Sequence, residues 1–92
     1  MSGNSKRSSI LSRIEQERVR QYDLAGSEYD AKNSPNDWIA ITSYYLAQET
    51  KRATMLTPPN SKDFERELVK AAAVILASLE HIEVMKERGH LS

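Results

Sequence analysis

Residues 61–88 read SKDFERELVKAAAVILASLEHIEVMKER, and this stretch decides the fold. Between Leu68 and Leu79 a helix would be apolar on nearly every side. The two prolines at positions 58 and 59 exclude a helix that continues from upstream, and Gly89 is a typical residue after a helix end. The stretch therefore predicts one helix over about 61–88, roughly 42 Å long at 1.5 Å per residue.

Two shorter helices are predicted ahead of this one. The helix over about 35–54 has the clearest start, because Ser34 can cap it, Pro35 suits the first helical position and Asp37 stands where a capping box needs an acceptor. The helix over about 8–24 has only a thin apolar stripe, which predicts an outer position. Residues 27–33 are mostly polar without an apolar period, which is typical of a loop.

The pattern predicts an all-α fold with a flexible tail over residues 1–7 and a single helical domain over 8–92. Helix two should pack antiparallel on the long helix three. Two short helices cannot cover all of the apolar surface of helix three, and the run Ala71–Ala73 would let another backbone come close. We therefore expect self-association through helix three.

Composition narrows the function. The chain has 92 residues with 13 basic and 13 acidic side chains, so it lacks the clustered positive charge of a general DNA-binding domain. No cysteine is present, which excludes thiolate metal sites and cysteine nucleophiles. We find no signal peptide and no membrane-spanning run, and we expect a soluble, cytoplasmic protein without a membrane or DNA partner.

Several segments carry a resemblance to a known family: Ile14–Gln21, an Asp/Asn-rich loop, Trp38–Ile41, Phe64–Val74 and Ser78–Glu80. In this order they resemble small phage and prophage proteins related to the MazG-like nucleoside triphosphate pyrophosphatases. The resemblance covers roughly residues 10–83. It implies paired helices that assemble with those of another subunit around a nucleotide pocket, in the cytoplasm of a host cell. It also implies magnesium-dependent cleavage between the α and β phosphates.

The family's chemistry relies on an E-x-x-E pair in one helix and an E-x-x-D pair in the next, since carboxylates one turn apart can share a metal ion. Here helix two has Ser43, Tyr44, Tyr45 and Gln48 in that region, with Glu49 as its one carboxylate. In helix three the corresponding segment is Glu67–Lys70, and a protonated lysine does not bind magnesium. We therefore predict a protein without pyrophosphatase activity and without a cofactor.

Aromatic and cationic side chains stand in place of the missing acids, and such groups can stack on a base and pair with phosphate without a metal. The candidate ligand-binding residues are Tyr44, Gln48, Lys51, Arg52, Lys70 and Arg18. Each also has a structural reading, as a subunit contact, a solvated residue near a helix end or a partner of a nearby acid.

Three functions stay open from the sequence. The first, which we favour, is a non-catalytic phage accessory protein that binds or sequesters a nucleotide or a cyclic nucleotide signal, with a possible role against host defence. The second is an active pyrophosphohydrolase that holds Mg²⁺ through Glu49, Asp63 and Glu67, with Asp30 or Asp37 supplied by a loop. The third is a helical protein-interaction module without a small ligand.

Overall fold

The computed structural model describes residues 2–24, 27–50 and 60–92, with the backbone alone at residues 2, 3, 49 and 50. These ranges hold four α-helices and one 3₁₀ helix, and no strand occurs in them. The helices are α1 (Ser2–Tyr22), the 3₁₀ helix (Ser27–Lys32), α2 (Pro35–Thr50), α3 (Ser61–Glu80) and α4 (Ile82–Glu87). The predicted all-α class is confirmed. The predicted end of helix two near residue 54 lies outside the described ranges.

The first helix begins earlier than predicted. α1 starts at Ser2 instead of near residue 8, so the segment expected to form a tail is helical, and its side chains from Asn4 onward are exposed. The flexibility of this segment stays a prediction. The predicted loop also differs, because Ser27–Lys32 forms a 3₁₀ helix between α1 and α2. Short 3₁₀ turns are common connectors, and a polar sequence without an apolar period does not reveal them.

The starts of α2 and α3 are set by side-chain caps. The Ser34 backbone N–H donates to Asp37 Oδ2 at 2.9 Å, and the Asp37 N–H donates to Ser34 Oγ at 3.2 Å. This reciprocal pair is the predicted capping box. Asn60 caps α3 by accepting the N–H groups of Lys62 and Asp63 through Oδ1. Both caps satisfy donors that have no partner within their helix.

The predicted helix over 61–88 is interrupted at His81. The His81 ring places Nδ1 2.7 Å from the Ala77 carbonyl oxygen, which is the acceptor that the His81 backbone N–H would need in a continuous helix. That N–H bonds instead to the Ser78 carbonyl, one residue closer. α4 then follows from Ile82 and ends in a Schellman motif, with Gly89 at φ 78°. The prediction of one continuous helix was therefore wrong.

α3 is the central helix, and α1 and α2 both pack against it. α2 is antiparallel to α3, because Trp38 near its start contacts His81, and Tyr45, two turns further on, faces Lys70. The core consists of buried Trp38, Val74, Ala77 and Met85, with Tyr45, Ile82 and Leu91 packed against it.

Ala71 and Ala73 are buried within the single chain. Small side chains there permit the close approach of the two helices that flank α3. Ala71 and Ala73 therefore pack inside the single chain, whereas Ala72 is half-buried and borders a groove between α1 and α3. The predicted self-association through helix three stays a prediction. Within the ranges given above, no helix has the length and apolar content that crossing a membrane requires.

Candidate ligand cavity

A cavity of about 170 Å³ lies between α1, α2 and α3, on the side where the connection from α1 to α2 passes. α1 contributes Arg18 and Gln21, and the connection contributes Leu24, Ser27 and Asp30. The remaining lining comes from the helices that form the core: Trp38, Ile41, Tyr45, Val74 and Ala77. The cavity therefore joins an aromatic and aliphatic wall to a polar rim, which is the usual composition of a small-molecule site.

Trp38 is the largest side chain of the wall. It is 5% exposed, and its ring stacks at a tilt on His81 with centroids 5.4 Å apart. Its indole Nε1 is buried and has no hydrogen-bond acceptor among the described residues. A buried N–H without an acceptor costs free energy, so such groups commonly mark a water or ligand position.

Arg18 supplies positive charge at the rim. Its Nε donates to Glu80 Oε1 at 2.9 Å, and its guanidinium lies 5.7 Å from the centroid of the Tyr22 ring. The Arg18 side chain is 13% exposed, whereas Glu80 is 50% exposed. Since a guanidinium carries five N–H donors, one ion pair leaves donors for a second anion.

Lys70 lies near the same region and is tied into a polar network. Its Nζ is 3.6 Å from Glu67 Oε1 and 6.0 Å from the centroid of the Tyr45 ring. Gln21 Nε2 donates to the Lys70 carbonyl oxygen at 3.2 Å and to Glu17 Oε2 at 3.1 Å. This network joins all three helices, because Tyr45 belongs to α2, Gln21 to α1 and Lys70 to α3.

Glu17 is the acidic centre of the network. Arg20 donates to both of its carboxylate oxygens, at 2.8 and 2.6 Å. These hydrogen bonds, together with the positive charges of Arg20 and Lys70, hold the pKa of the Glu17 carboxyl below its ordinary value. Glu17 is therefore ionised at neutral pH and balances the cations around it.

The structure brings together only part of the predicted ligand set. Arg18 lines the cavity, and Lys70 contacts Tyr45, which also lines it. Tyr44 is 62% exposed and meets Tyr45 edge to face, and Gln48 donates to the Tyr44 carbonyl on the same helix. Neither lines the cavity. Lys51 and Arg52 lie outside the described residues.

The carboxylates of the alternative metal site are engaged by cations. Asp63 accepts from Arg66 at 2.6 Å, and Glu67 Oε1 lies 3.6 Å from both Arg66 Nε and Lys70 Nζ. Glu67 Oε2 is buried without a hydrogen-bond partner in the described part of the chain. No group of three potential metal ligands occurs among the residues that the structure describes, and the Glu49 side chain is not among them. Asp37 caps α2, and Asp30 lines the cavity.

Two kinds of cavity residue could not be assigned from the sequence. The charged pattern of α1 favours a solvated face for Gln21 over a contact with a neighbouring subunit or a ligand phosphate, and Ser27 belongs to the segment predicted to be a loop. The burial of Trp38 agrees with the helical spacing of the apolar residues in helix two, but its unpartnered N–H follows only from its surroundings. For the connection, the one residue whose type could have indicated a place in the cavity lining was the apolar Leu24. It stands just before Ala25 and Gly26, where the sequence predicts the end of helix one.

Comparison of the chain with protein-family models, with curated proteins and with solved structures gave no significant match.

Proposed function

We propose that this protein is a non-catalytic binder of a nucleotide or a cyclic nucleotide, held in the cavity between α1, α2 and α3. The observation that carries the proposal is the pairing of an aromatic wall, Trp38 and Tyr45, with the partly buried cation Arg18 at one rim. A base can enter an apolar, aromatic cavity, and a guanidinium binds phosphate through parallel N–H donors. We infer that the buried Trp38 N–H, which has no acceptor among the described residues, donates to the ligand.

The size of the cavity limits how the ligand is held. About 170 Å³ is below the roughly 300–1,000 Å³ typical of pockets that enclose a whole ligand. The cavity therefore takes one part of a nucleotide, the base, while the phosphates stay at the rim beside Arg18. Affinity for a free base alone would then be weak, because the charged contact is made by the phosphate.

Binding without hydrolysis is favoured by the charges around the acidic residues. A divalent ion placed at Glu67 would meet Arg66 and Lys70, which both approach the same carboxylate oxygen. Repulsion from two cations opposes metal binding there. We accordingly propose an accessory role in the cytoplasm, by sequestration of a nucleotide signal. We propose a phage-infected cell as the setting of this role, on the resemblance described from the sequence alone.

Intrinsic fluorescence tests the proposal directly, because Trp38 is the single tryptophan of the chain and lines the cavity. We would titrate the protein with ATP, AMP and cyclic di-AMP, each with magnesium or with a chelator. Binding should change the Trp38 emission at saturating ligand in both conditions. It should also raise the melting temperature, since a ligand at 100 times its Kd adds about 2.7 kcal/mol of stability.

Two arginines of α1 provide a matched pair of variants. Arg18 and Arg13 each form an ion pair with a glutamate of α3, but Arg13 pairs with Glu65 away from the cavity, at 3.7 Å. Arg18→Gln should weaken nucleotide binding about 10- to 100-fold, the value of a charge-assisted contact, whereas Arg13→Gln should leave it unchanged. Equal effects of the two variants would contradict the assigned site.

Release of AMP and pyrophosphate decides between binding and hydrolysis, because these are the products of cleavage between the α and β phosphates of ATP. We expect no product from ATP in the presence of magnesium. Magnesium-dependent product formation that Glu67→Gln abolishes would establish the enzyme instead. The absence of any fluorescence or melting response to all three ligands would leave the interaction module as the better account of the fold.

A further inference from the structure

The side of α3 that faces away from the cavity is apolar and open. We call it the open face and define it by Leu68, Ile75 and Leu79 of α3, with Leu11 of α1 and Ile39 of α2 on its two sides. Each of these side chains is at least 43% exposed. Scattered surface hydrophobic residues are ordinary, but Leu11, Ile75 and Leu79 border one groove and Ile39 and Ile75 another, so four of these residues form a patch of the kind that marks an interface.

The open face has the relief of a ridge between two grooves. Ile75 forms part of both grooves, one of about 310 Å³ between α1 and α3 and one of about 240 Å³ between α2 and α3. The groove beside α1 is bordered by Leu11, Ile14, Ala72, Leu76 and Leu79, and Glu15 is the single charged residue in its lining. A ridge and an apolar groove on one surface fit the corresponding groove and ridge of an identical surface.

The chain by itself covers too little of its surface. Its accessible area is 6899 Å², against about 5,400 Å² for a compact monomer of 10.4 kDa. Its radius of gyration of 15.2 Å also exceeds the value of about 12 Å expected for 92 residues. The excess area of about 1,500 Å² is larger than the roughly 800 Å² that each partner buries in a standard protein interface.

We propose that the open face binds the open face of a second copy, with the two α3 helices related by a two-fold axis. The Ile75 ridge of each copy enters the groove beside α1 of the other, so that every contact occurs twice. A second copy is the occupant because the face is nearly uncharged, the net charge of the chain is zero and the relief is self-complementary. Binding to an anionic membrane surface would instead require basic residues beside the apolar ones.

Two apolar residues with nearly the same exposure, Leu79 and Val19, provide a test of this interface. Leu79 on the open face and Val19 on the outer side of α1 are 61% and 62% exposed, so an aspartate at either position should be tolerated by the single chain. Sedimentation equilibrium of the wild-type protein at micromolar concentration should give a mass of at least twice 10.4 kDa. Leu79→Asp should raise the dissociation constant at least about 100-fold, since the charge is buried twice in a symmetric contact, and Val19→Asp should not change it.

A second measurement uses the absence of cysteine from the chain. Ile75→Cys should form an intermolecular disulfide on mild oxidation, because the Ile75 residues of the two copies approach each other at the axis, whereas Lys32→Cys on the 3₁₀ helix should not. A wild-type mass of 10.4 kDa, dissociation by Val19→Asp but not by Leu79→Asp, or equal cross-linking of the two cysteine variants would each overturn the proposal. None of these measurements depends on nucleotide binding.

Discussion

The two sides of α3 have similar amounts of hydrophobic sequence but different surroundings. On the cavity side, Val74 and Ala77 are buried beneath α2, and the connection with the 3₁₀ helix contributes to the enclosure. On the open face, Ile75 and Leu79 are 46% and 61% exposed. The cavity side is buried because a helix and the connection to it cover that side of α3. One helix layer with one connection can cover only one side of a central helix, so the opposite side stays exposed.

Polar groups are divided in the same way. Arg18, Gln21 and Lys70 lie on the cavity side, where Arg18 pairs with Glu80, Gln21 donates to the Lys70 carbonyl and Lys70 faces Tyr45, all across helices. The grooves of the open face contain few polar atoms and one charged residue, Glu15. The first side is therefore suited to a small charged ligand, and the second to another apolar protein surface.

The largest effect is expected in the core of the cavity side. Trp38→Ala should lower the free energy of unfolding by about 3–5 kcal/mol, because it removes the largest buried side chain and leaves a void beside Val74 and Met85. Urea denaturation followed by circular dichroism measures this change. Val19→Ala, at an exposed position of α1, should change the free energy by less than about 0.5 kcal/mol. Similar losses in both variants would show that the cavity side is not the core.

A smaller effect is expected where the connection meets α2. Ser34→Ala removes one half of the capping box and should cost about 1 kcal/mol of unfolding free energy. Ser9→Ala on the exposed surface of α1 is the matched control and should be neutral or slightly stabilising, since alanine is the better helix former. If Ser9→Ala and Ser34→Ala lowered the free energy of unfolding equally, the cap would have no special role in positioning the cavity wall.

A further prediction rests on the proposed function and concerns the partner of Arg18. Glu80→Gln removes the charge that competes with a phosphate for the guanidinium, so nucleotide binding should tighten by up to about fivefold, the value of an exposed ion pair. Glu65→Gln releases Arg13 instead and should leave binding unchanged. Trp38 fluorescence titration measures both constants. Weaker binding by Glu80→Gln would mean that the ion pair positions Arg18 rather than competing for it.

The smallest effect is a pH dependence on the cavity side. The folded-state pKa of Glu17 lies below its ordinary value of 4.5, so its contribution to stability is complete above that value and is lost as the pH falls through the folded-state pKa. The melting temperature of the wild type should therefore fall more steeply below about pH 5 than that of Glu17→Gln. Parallel melting curves for the two proteins would contradict the assigned hydrogen bonds with Arg20.

Much of the fold could be predicted from local patterns. The Ser34–Asp37 capping box, the start of α3 at Asn60 and the burial of Trp38 follow from residue types and spacing, which act over one or two helical turns. The break at His81 could not be predicted, because it depends on a ring that takes the Ala77 carbonyl while stacking on a residue of α2. The helix propensity of histidine does not by itself predict that a helix ends at His81.

The candidate site was predicted only in part for a related reason. Arg18 and Lys70 were identified from charge and position, but Gln21 and Ser27 acquire their place from the packing of α1 and of the connection. Tyr44 was predicted because it stands where the resemblance expects an acidic residue, and it differs from Tyr45 by one residue and therefore by about 100° around the helix. That rotation leaves Tyr44 outside the cavity that Tyr45 lines.

The helical class, the caps and the excess of apolar surface on helix three follow from the sequence alone, because they depend on residue type and on spacings of three and four residues along the chain. The tertiary structure decided which side of α3 is covered, where the helix breaks and which cations meet the aromatic wall. These depend on contacts between residues far apart in the chain, such as Arg18 with Glu80 and Trp38 with His81. The apolar pattern within one helix does not predict these contacts, because they depend on how three helices pack against one another.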